Sequence, residues 1–432
     1  MENSINTKLW NKNFTIMVIG QFISLFGNSL QRYSLSLFIL DITGSATIFS
    51  LILALTFIPQ IFLAPFGGAF ADRFSKKKIM VVLDTCSGLM LLLFTIYLKS
   101  SSSIIAIAIL MCIMAVIQSI YDPSVRASIP AITAQENLEG ANSIVSVVSS
   151  LTALVSPIAA GFLYGLYGIE VIFIINVVSF LFSAVMELFL HIPHKSVKIE
   201  GSIAKTFVKD IGSTFSYLFH KKPIVFQTLM MACSFNLFLT PIYTVGYPYM
   251  EKVIFGVSAE LYGISEGIMG AGMIVGALLT GIMSKKLPFW KLHKYFYFII
   301  VFIVGLGIAT LPFVRDESGV SYLSYWLFTG IGFLFAAVLA VINIMCMTFM
   351  QLEIPMEYMG KAMALVTSLS MAFMPVGQLI FGKLYDIFAT STWWIYAIVT
   401  VLSLILTLVT KMLLGRAIEN GSLKTTGAPG TV

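Results

Sequence analysis

A chain of 432 residues that is 58% hydrophobic and only 11% charged cannot cover a water-facing surface, because an ordinary soluble domain carries about 25% charged residues. That excludes a soluble enzyme. It also makes the net charge of +6 a question of where the bases lie rather than a sign of nucleic-acid binding. Alternation at period two, the pattern of a membrane barrel, is absent, which leaves an all-α membrane protein whose helices pair their own backbone groups in hydrocarbon.

About twenty apolar residues make a helix that crosses a bilayer, and twelve runs reach that length. The first thirteen residues are polar and include Lys8 and Lys12. The run after them, 14–40, is too long for the core of a cleaved leader and no small-residue cleavage site follows, so it is expected to stay as the first span. Spans two to six follow at 46–70, 78–98, 104–129, 138–165 and 169–192. The chain then turns polar over 193–222, its longest hydrophilic connection. Ile203, Phe207, Ile211 and Phe215 recur there at four-residue spacing, with Lys205 and Lys209 off the stripe. This predicts an amphipathic linker helix over about 203–219. Spans seven to twelve follow at 223–250, 260–283, 292–314, 321–350, 359–385 and 391–414. The expected organisation is a six-helix half over 1–192, a cytoplasmic linker over 193–222, a second six-helix half over 223–414 and a cytoplasmic tail over 415–432.

All but five of the 26 Lys and Arg fall on one side of that layout. Lys99, Lys252, Arg315 and Lys383 fall on the other side, and Arg32 lies within span one. By the positive-inside rule the richer side is cytoplasmic, and with it both termini. The halves echo each other weakly. Glu136 and Leu138 after span four correspond to Glu357 and Met359 after span ten, and SPIAAG in span five corresponds to MPVGQ in span eleven. Paired halves of this kind are a transporter architecture.

Cys86, Cys112, Cys233 and Cys346 lie inside spans, without metal-ligand or disulfide spacing, and are expected as small core residues. His191, His194, His220 and His293 form no cluster, so neither a metal nor a cofactor is expected. Ionisable groups inside a span are costly and mark function. Arg32 in span one and Glu266 in span eight are expected to be the two that lie well inside, with Glu187 at the inner edge of span six. A permanent cation such as Arg32 needs an anion, from the protein or from a ligand. A carboxyl in apolar surroundings can take up and release a proton, which makes Glu266 the first proton-coupling candidate and Asp122 the second. Gly263-Ile264-Ser265-Glu266-Gly267 matches the G-x-S-x-G hydrolase pattern, but that motif works on a strand–turn–helix and here opens a membrane helix. The glycines at 263, 267, 270, 272, 276 and 281 are read as close helix packing.

Between spans two and three the segment GGAFADRFSKKKIM carries Gly68-x-x-x-Asp72-Arg73-x-x-Lys76-Lys77. It resembles the signature loop of the major facilitator superfamily, with Ser75 in place of the usual second glycine and Lys76 where arginine is more usual. Twelve spans in two halves agree with that pattern, so the resemblance covers nearly the whole chain. It implies a cytoplasmic latch in which Gly68, Asp72, Arg73, Lys76 and Lys77 meet the start of span eleven, near Tyr358 to Lys361, where the positive helix end would favour Asp72. The plainer reading is a topology signal. Asp122 and Arg126, one turn apart in span four, either join Lys76 or Arg73 of this loop or pair with each other.

The resemblance also implies that spans one, four, seven and ten line a central cavity. Asn28 and Arg32 share one face of span one, Asn236, Thr240 and Tyr243 share one of span seven, and Asn343 lies in span ten. They are expected as a polar stripe on an otherwise apolar cavity, or as hydrogen-bonding glue between helices. Ser156-Pro157-Ile158-Ala159-Ala160-Gly161 resembles the end of the exporter motif of drug–proton antiporters, with Ser156 and Ala160 replacing glycines. It favours export, and its plainer reading is a proline kink with tight packing. GQFISLFGNSLQ and ITGSA look most like the macrolide-efflux branch.

The expectation is therefore a monomeric, multi-pass, secondary active exporter of amphipathic, drug- or macrolide-like molecules in a bacterial cytoplasmic membrane. It would work by alternating access with proton antiport. Its partners are the small-molecule substrate, protons and the lipid bilayer. The alternatives are a lysolipid flippase, a siderophore or metabolite exporter and, more distantly, a receptor or scaffold that does not transport.

Overall fold

The computed structural model describes residues 9–100, 103–193, 203–283, 288–315 and 319–420, and of these the side chains of 64–72, 203–211 and 283 are not described. Every regular element among them is helical, and eleven helices are long and apolar enough to cross a membrane. One of the eleven, Leu138–Leu188, is broken at Gly168, whose backbone sits at φ 73° and ψ −173°. That conformation is open essentially to glycine alone. The break divides the helix into α5 (138–167) and α6 (169–188), so the twelve expected spans are present.

The first four helices are α1 (Lys12–Thr43), α2 (Ala46–Arg73), α3 (Lys76–Leu98) and α4 (Ile104–Ile132). After α6 comes α7 (Ile203–Lys221), the helix expected from the amphipathic stripe. Its Ile203, Phe207 and Ile211 side chains lie outside the described residues, and Phe215 is exposed. The remaining spans are α8 (Pro223–Ile254), α9 (Ala259–Met283), α10 (Leu292–Ala309), α11 (Tyr322–Glu353), α12 (Met356–Ile387) and α13 (Trp393–Glu419).

Packing divides the chain into two compact units. The first comprises Met1–Ile42, Ile52–Phe207 and Ser258–Gly267, and the second comprises Thr43–Leu51, Val208–Val257 and Ile268–Val432. In the first unit Phe14, Met17, Val18, Met80, Tyr121, Val125 and Ile129 form a buried apolar cluster. Asn11 fixes its edge. Its Oδ1 accepts from Phe14 N at 3.0 Å, capping α1, and its Nδ2 donates to Ile132 O at 2.9 Å, closing the end of α4. Both groups are helix-terminal and have no partner within their own helices. Helix α3 lies on α6, where the bare Gly88 admits Leu181 and Phe94 meets Phe173 edge-on at 5.8 Å.

In the second unit, α8 contains three π turns, Phe235–Leu239, Ile242–Gly246 and Met250–Ile254. Pro241 and Pro248 account for the widening, because proline has no N–H and its ring crowds the carbonyl four residues back. For Pro241 that carbonyl belongs to Leu237. Gly377 of α12 backs directly onto it, where any Cβ would collide. At the start of α2, Asp386 serves as a cap from another helix. Its Oδ1 accepts from Ala46 N at 2.8 Å, and its Oδ2 accepts from Thr47 N at 2.9 Å and from Ser45 Oγ at 2.6 Å.

Asp386→Ala is expected to destabilise the protein by about 1–2 kcal/mol through loss of this cap, read as a fall in thermal unfolding temperature in detergent. Gly168→Ala is expected to cost about 1–3 kcal/mol by backbone strain, in the same assay.

Candidate functional site

The first unit contains a cavity of about 400 Å³, within the range of about 300–1,000 Å³ that small-molecule sites occupy. Helix α1 contributes Leu25, Asn28, Ser29, Gln31, Arg32 and Leu35, and α2 contributes Thr56 and Gln60. Met111, Met114, Ala115, Gln118 and Asp122 come from α4, and Ser149, Thr152 and Ala153 from α5. The helical period explains the set: Leu25, Asn28, Arg32 and Leu35 recur at three and four residues, as do Met111, Met114, Ala115, Gln118 and Asp122.

Polar residues outnumber apolar ones on this wall, and no aromatic side chain lines it among the described residues. Asn28 and Arg32 fall on this wall together, as the polar stripe of the sequence placed them, with Leu25, Leu35, Met111 and Met114 between the polar groups. Gln31 of α1, Gln60 of α2 and Gln118 of α4 add amides to it.

A hydrogen-bonded ladder crosses the cavity wall. Asn28 Nδ2 donates to Gln118 Oε1 at 3.3 Å, and Gln118 Nε2 donates to Asp122 Oδ1. Behind it, Asn176 of α6 donates to Gln31 Oε1, so the second amide is also held. Arg126 lies within electrostatic reach of Asp122 but makes no ion pair with it among the described residues. Nor does Asp122 pair there with Lys76 or Arg73; its partner is Gln118.

Arg32 is exposed to the cavity. Its guanidinium lies 5.0 Å from the centre of the Tyr33 ring, a cation–π distance, and no carboxylate lies within salt-bridge range of it among the described residues. Glu266 is buried in α9, within electrostatic reach of Tyr33, and is not among the residues that line the cavity.

The other expected site residues fall elsewhere. Of the signature loop, the side chains of Gly68 and Asp72 lie outside the described residues. Arg73 is exposed, Lys76 is half-buried, and Lys77 Nζ donates to Leu188 O at 2.6 Å. Lys77 thus caps the C-terminus of α6, an end that favours a cation. Asn236, Thr240 and Tyr243 belong to α8 in the second unit. Thr240 Oγ1 donates to Asn236 Oδ1 at 3.2 Å, and Asn236 Nδ2 donates to Ala232 O at 3.2 Å. Asn343 is an exposed residue of α11.

Pro157 and Gly161 form a contact surface on α5, and Ser156 beside them is buried. A Cβ on Gly161 would strike the Ala259 carbonyl, and one on Gly263 would meet the Pro157 carbonyl at 2.5 Å. The backbones of α5 and the first turns of α9 therefore touch, as small residues permit. Gly267 continues this contact against Ile158, and Gly272 and Gly276 face the carbonyls of Phe333 and Ala337. Gly281 faces open space, so the packing reading fails for it. The G-x-S-x-G segment lies inside continuous α9, with Ser265 buried and no strand among the described residues.

Three further expectations are corrected. Glu187 is not an edge residue: it is 1% exposed, enclosed by α3 and α4. Arg32 and Glu266 are not the only ionisable groups inside spans, because Asp84 of α3 and Glu251 of α8 are buried as well. Cys86 is exposed rather than a core residue.

A model described as the Major Facilitator Superfamily matches residues 17–377. The chain is similar to macrolide efflux protein A of Streptococcus pyogenes, with 22% identity over 397 residues that cover 89% of this chain and 92% of that one. It is also similar to the staphyloferrin A transporter of Staphylococcus aureus, with 20% identity over 298 residues, 68% and 72% of the two chains. Among solved structures, a bacterial homologue of the iron transporter ferroportin superposes with a TM-score of 0.69 and 16% identity, covering 93% of this chain and 98% of that one. That last likeness is one of fold.

Gly161→Leu is expected to force α5 and α9 apart and to destabilise by at least the ~1–3 kcal/mol typical of overpacking, whereas Gly281→Leu leaves the unfolding temperature unchanged. Thermal unfolding of the two variants side by side checks both outcomes.

Proposed function

The chain belongs to the major facilitator superfamily and is a multi-pass membrane transporter rather than an enzyme; from that premise we propose that it exports amphipathic small molecules by alternating access, in exchange for protons. The cytoplasmic membrane of a bacterium is its place in this reading, with both termini on the cytoplasmic face that the positive-inside rule assigns to the lysine-rich loops.

The observation that carries the reading is the cavity wall of the first unit. Arg32 lacks a carboxylate partner among the described residues and faces the same space as the Asn28–Gln118–Asp122 ladder. A ligand that satisfies this wall brings hydrogen-bonding groups for the amides and an acceptor or anion for the guanidinium. Leu25, Leu35, Met111 and Met114 take its apolar part, and methionine side chains adapt to varied shapes. Similarity to macrolide efflux protein A supports export of drug-like molecules. The close contact at Pro157 and Gly161 supports the antiporter resemblance. Glu266 and Asp122 are the carboxyls proposed to carry the proton, and the Gly68–Lys77 loop with Arg126 is the proposed cytoplasmic latch.

Arg32 also favours a second reading, an exporter of anionic metabolites such as siderophores, and the similarity to the staphyloferrin A transporter supports it.

The test is efflux of a cationic dye and of an erythromycin-like drug from cells. Efflux is expected to stop when the proton gradient is collapsed and to be lost in Glu266→Gln. Arg32→Ala is expected to raise the half-saturating drug concentration roughly tenfold, as loss of one charge-assisted hydrogen bond predicts. Retention of both compounds by cells that export an anionic chelator instead would replace the first reading with the second.

A further inference from the structure

Away from the cavity, the first unit buries a second set of ionisable groups. Asp84 of α3 and Glu187 of α6 are each 1% exposed, and Tyr121 of α4 stands between them. Tyr121 Oη donates to Glu187 Oε1 at 2.8 Å and lies 3.5 Å from Asp84 Oδ2. A hydroxyl has one hydrogen, and here it is committed to Glu187. The contact with Asp84 then lacks a hydrogen unless Asp84 brings its own.

One carboxylate oxygen is left over. Glu187 Oε2 is buried without a hydrogen-bond partner. The hydroxyl of Ser183, a fully buried residue one turn before Glu187, lies within reach of both Asp84 and Tyr121. Span α1 brings no charge here. Its Gly20 lies against Ser183, and its Phe14 and Met17 belong to the apolar cluster that includes Tyr121 and Met80.

The charged and titratable groups nearby are engaged or turned away. Lys77, on α3 two turns before Asp84, is bonded to Leu188 O. Asp122, next to Tyr121 in the chain, lines the cavity instead. His191 beyond the end of α6 is exposed and bonded to Asn13 and Phe189. Two bare carboxylates in so dry a place, with no cation between them among the described residues, would carry an uncompensated charge that proteins do not tolerate.

We propose that Asp84, Tyr121 and Glu187 form a buried proton-binding site that holds one exchangeable proton between α3, α4 and α6 and gives it up during the transport cycle. Loading takes one proton from water and makes one O–H bond on a carboxyl. That hydrogen bridges the trio, and Ser183 has room to supply another. Unloading returns the proton and breaks the same bond. The proton belongs to the pair rather than to either carboxyl. Binding of the proton stands by itself, and only its release during transport rests on the proton-antiport reading.

The experiment is infrared difference spectroscopy of the purified full chain in lipid nanodiscs, stepping the pH. The wild type is expected to show a protonated-carboxyl band that fades as pH rises and shifts in heavy water. Asp84→Asn and Glu187→Gln each remove it. Tyr121→Phe, which keeps both carboxyls, shifts its frequency. A band unchanged in all three variants overturns the proposal, and so does a band that responds to sodium at constant pH.

A second arm uses proteoliposomes and the erythromycin-like drug. The carboxyl variants are expected to keep counterflow, which needs no net proton movement, and to lose accumulation driven by the proton gradient. Loss of counterflow in variants with wild-type unfolding temperature would assign the trio to substrate handling and overturn its release step. A wild type that shows neither activity would sink the exporter reading while the infrared band still decides the site.

Discussion

A polar group in hydrocarbon has no water to turn to, and that single constraint orders the rest of this structure. Each helix pairs its own backbone, and the polar side chains must then find partners within the bundle. Many hydroxyls do so at once by donating to the carbonyl one turn back. Thr85 bonds to Val81 O, Ser124 to Ile120 O, Thr228 to Ile224 O and Thr407 to Ser403 O. Helix ends, which cannot be satisfied internally, are met from elsewhere in the chain. Asn11 serves α1 and α4, Lys77 serves α6, and Asp386 serves α2.

Against that background the unsatisfied groups are informative. Arg32 has no carboxylate partner among the described residues, yet it lines a polar cavity together with a ladder of amides. A cation of this kind is stable when water or ligand reaches it. The Asp84–Tyr121–Glu187 trio is different, because no cavity-lining residue belongs to it and its members are buried among apolar side chains. The first arrangement suits a ligand that arrives with its own polar groups. The second suits the smallest ligand available, a proton.

Glycine and proline set how closely the helices approach. Gly161 and Gly263 bring two backbones into contact, and Pro241 leaves a carbonyl on α8 against which Gly377 fits. Such contacts have no side-chain give, so a shift of one helix is passed to its neighbour rather than absorbed.

The sequence by itself determined the number of the spans and, to within a few residues, their limits. Crossing a bilayer demands about twenty apolar residues in a row, and a chain cannot disguise such runs. That the Leu138–Leu188 helix holds two spans was legible for the same reason, though the break at Gly168 came from the structure; the family was legible through Gly68, Asp72, Arg73, Lys76 and Lys77 at fixed spacing. The facing of individual residues was less legible. Asn28 and Arg32 could be placed on one face from helical period alone, but Gln118, one turn from Asp122, has no charge to mark it in an apolar span. Only the tertiary structure decided which polar groups meet. Asp84 and Glu187 lie about a hundred positions apart in the chain, and nothing in either span announces the other. Their meeting through Tyr121 follows from how α3, α4 and α6 pack, and packing depends on the shapes of whole helix faces rather than on any local pattern. By the same token Glu187 read as an edge residue from its place near a helix end, and became a buried one because its neighbours close over it.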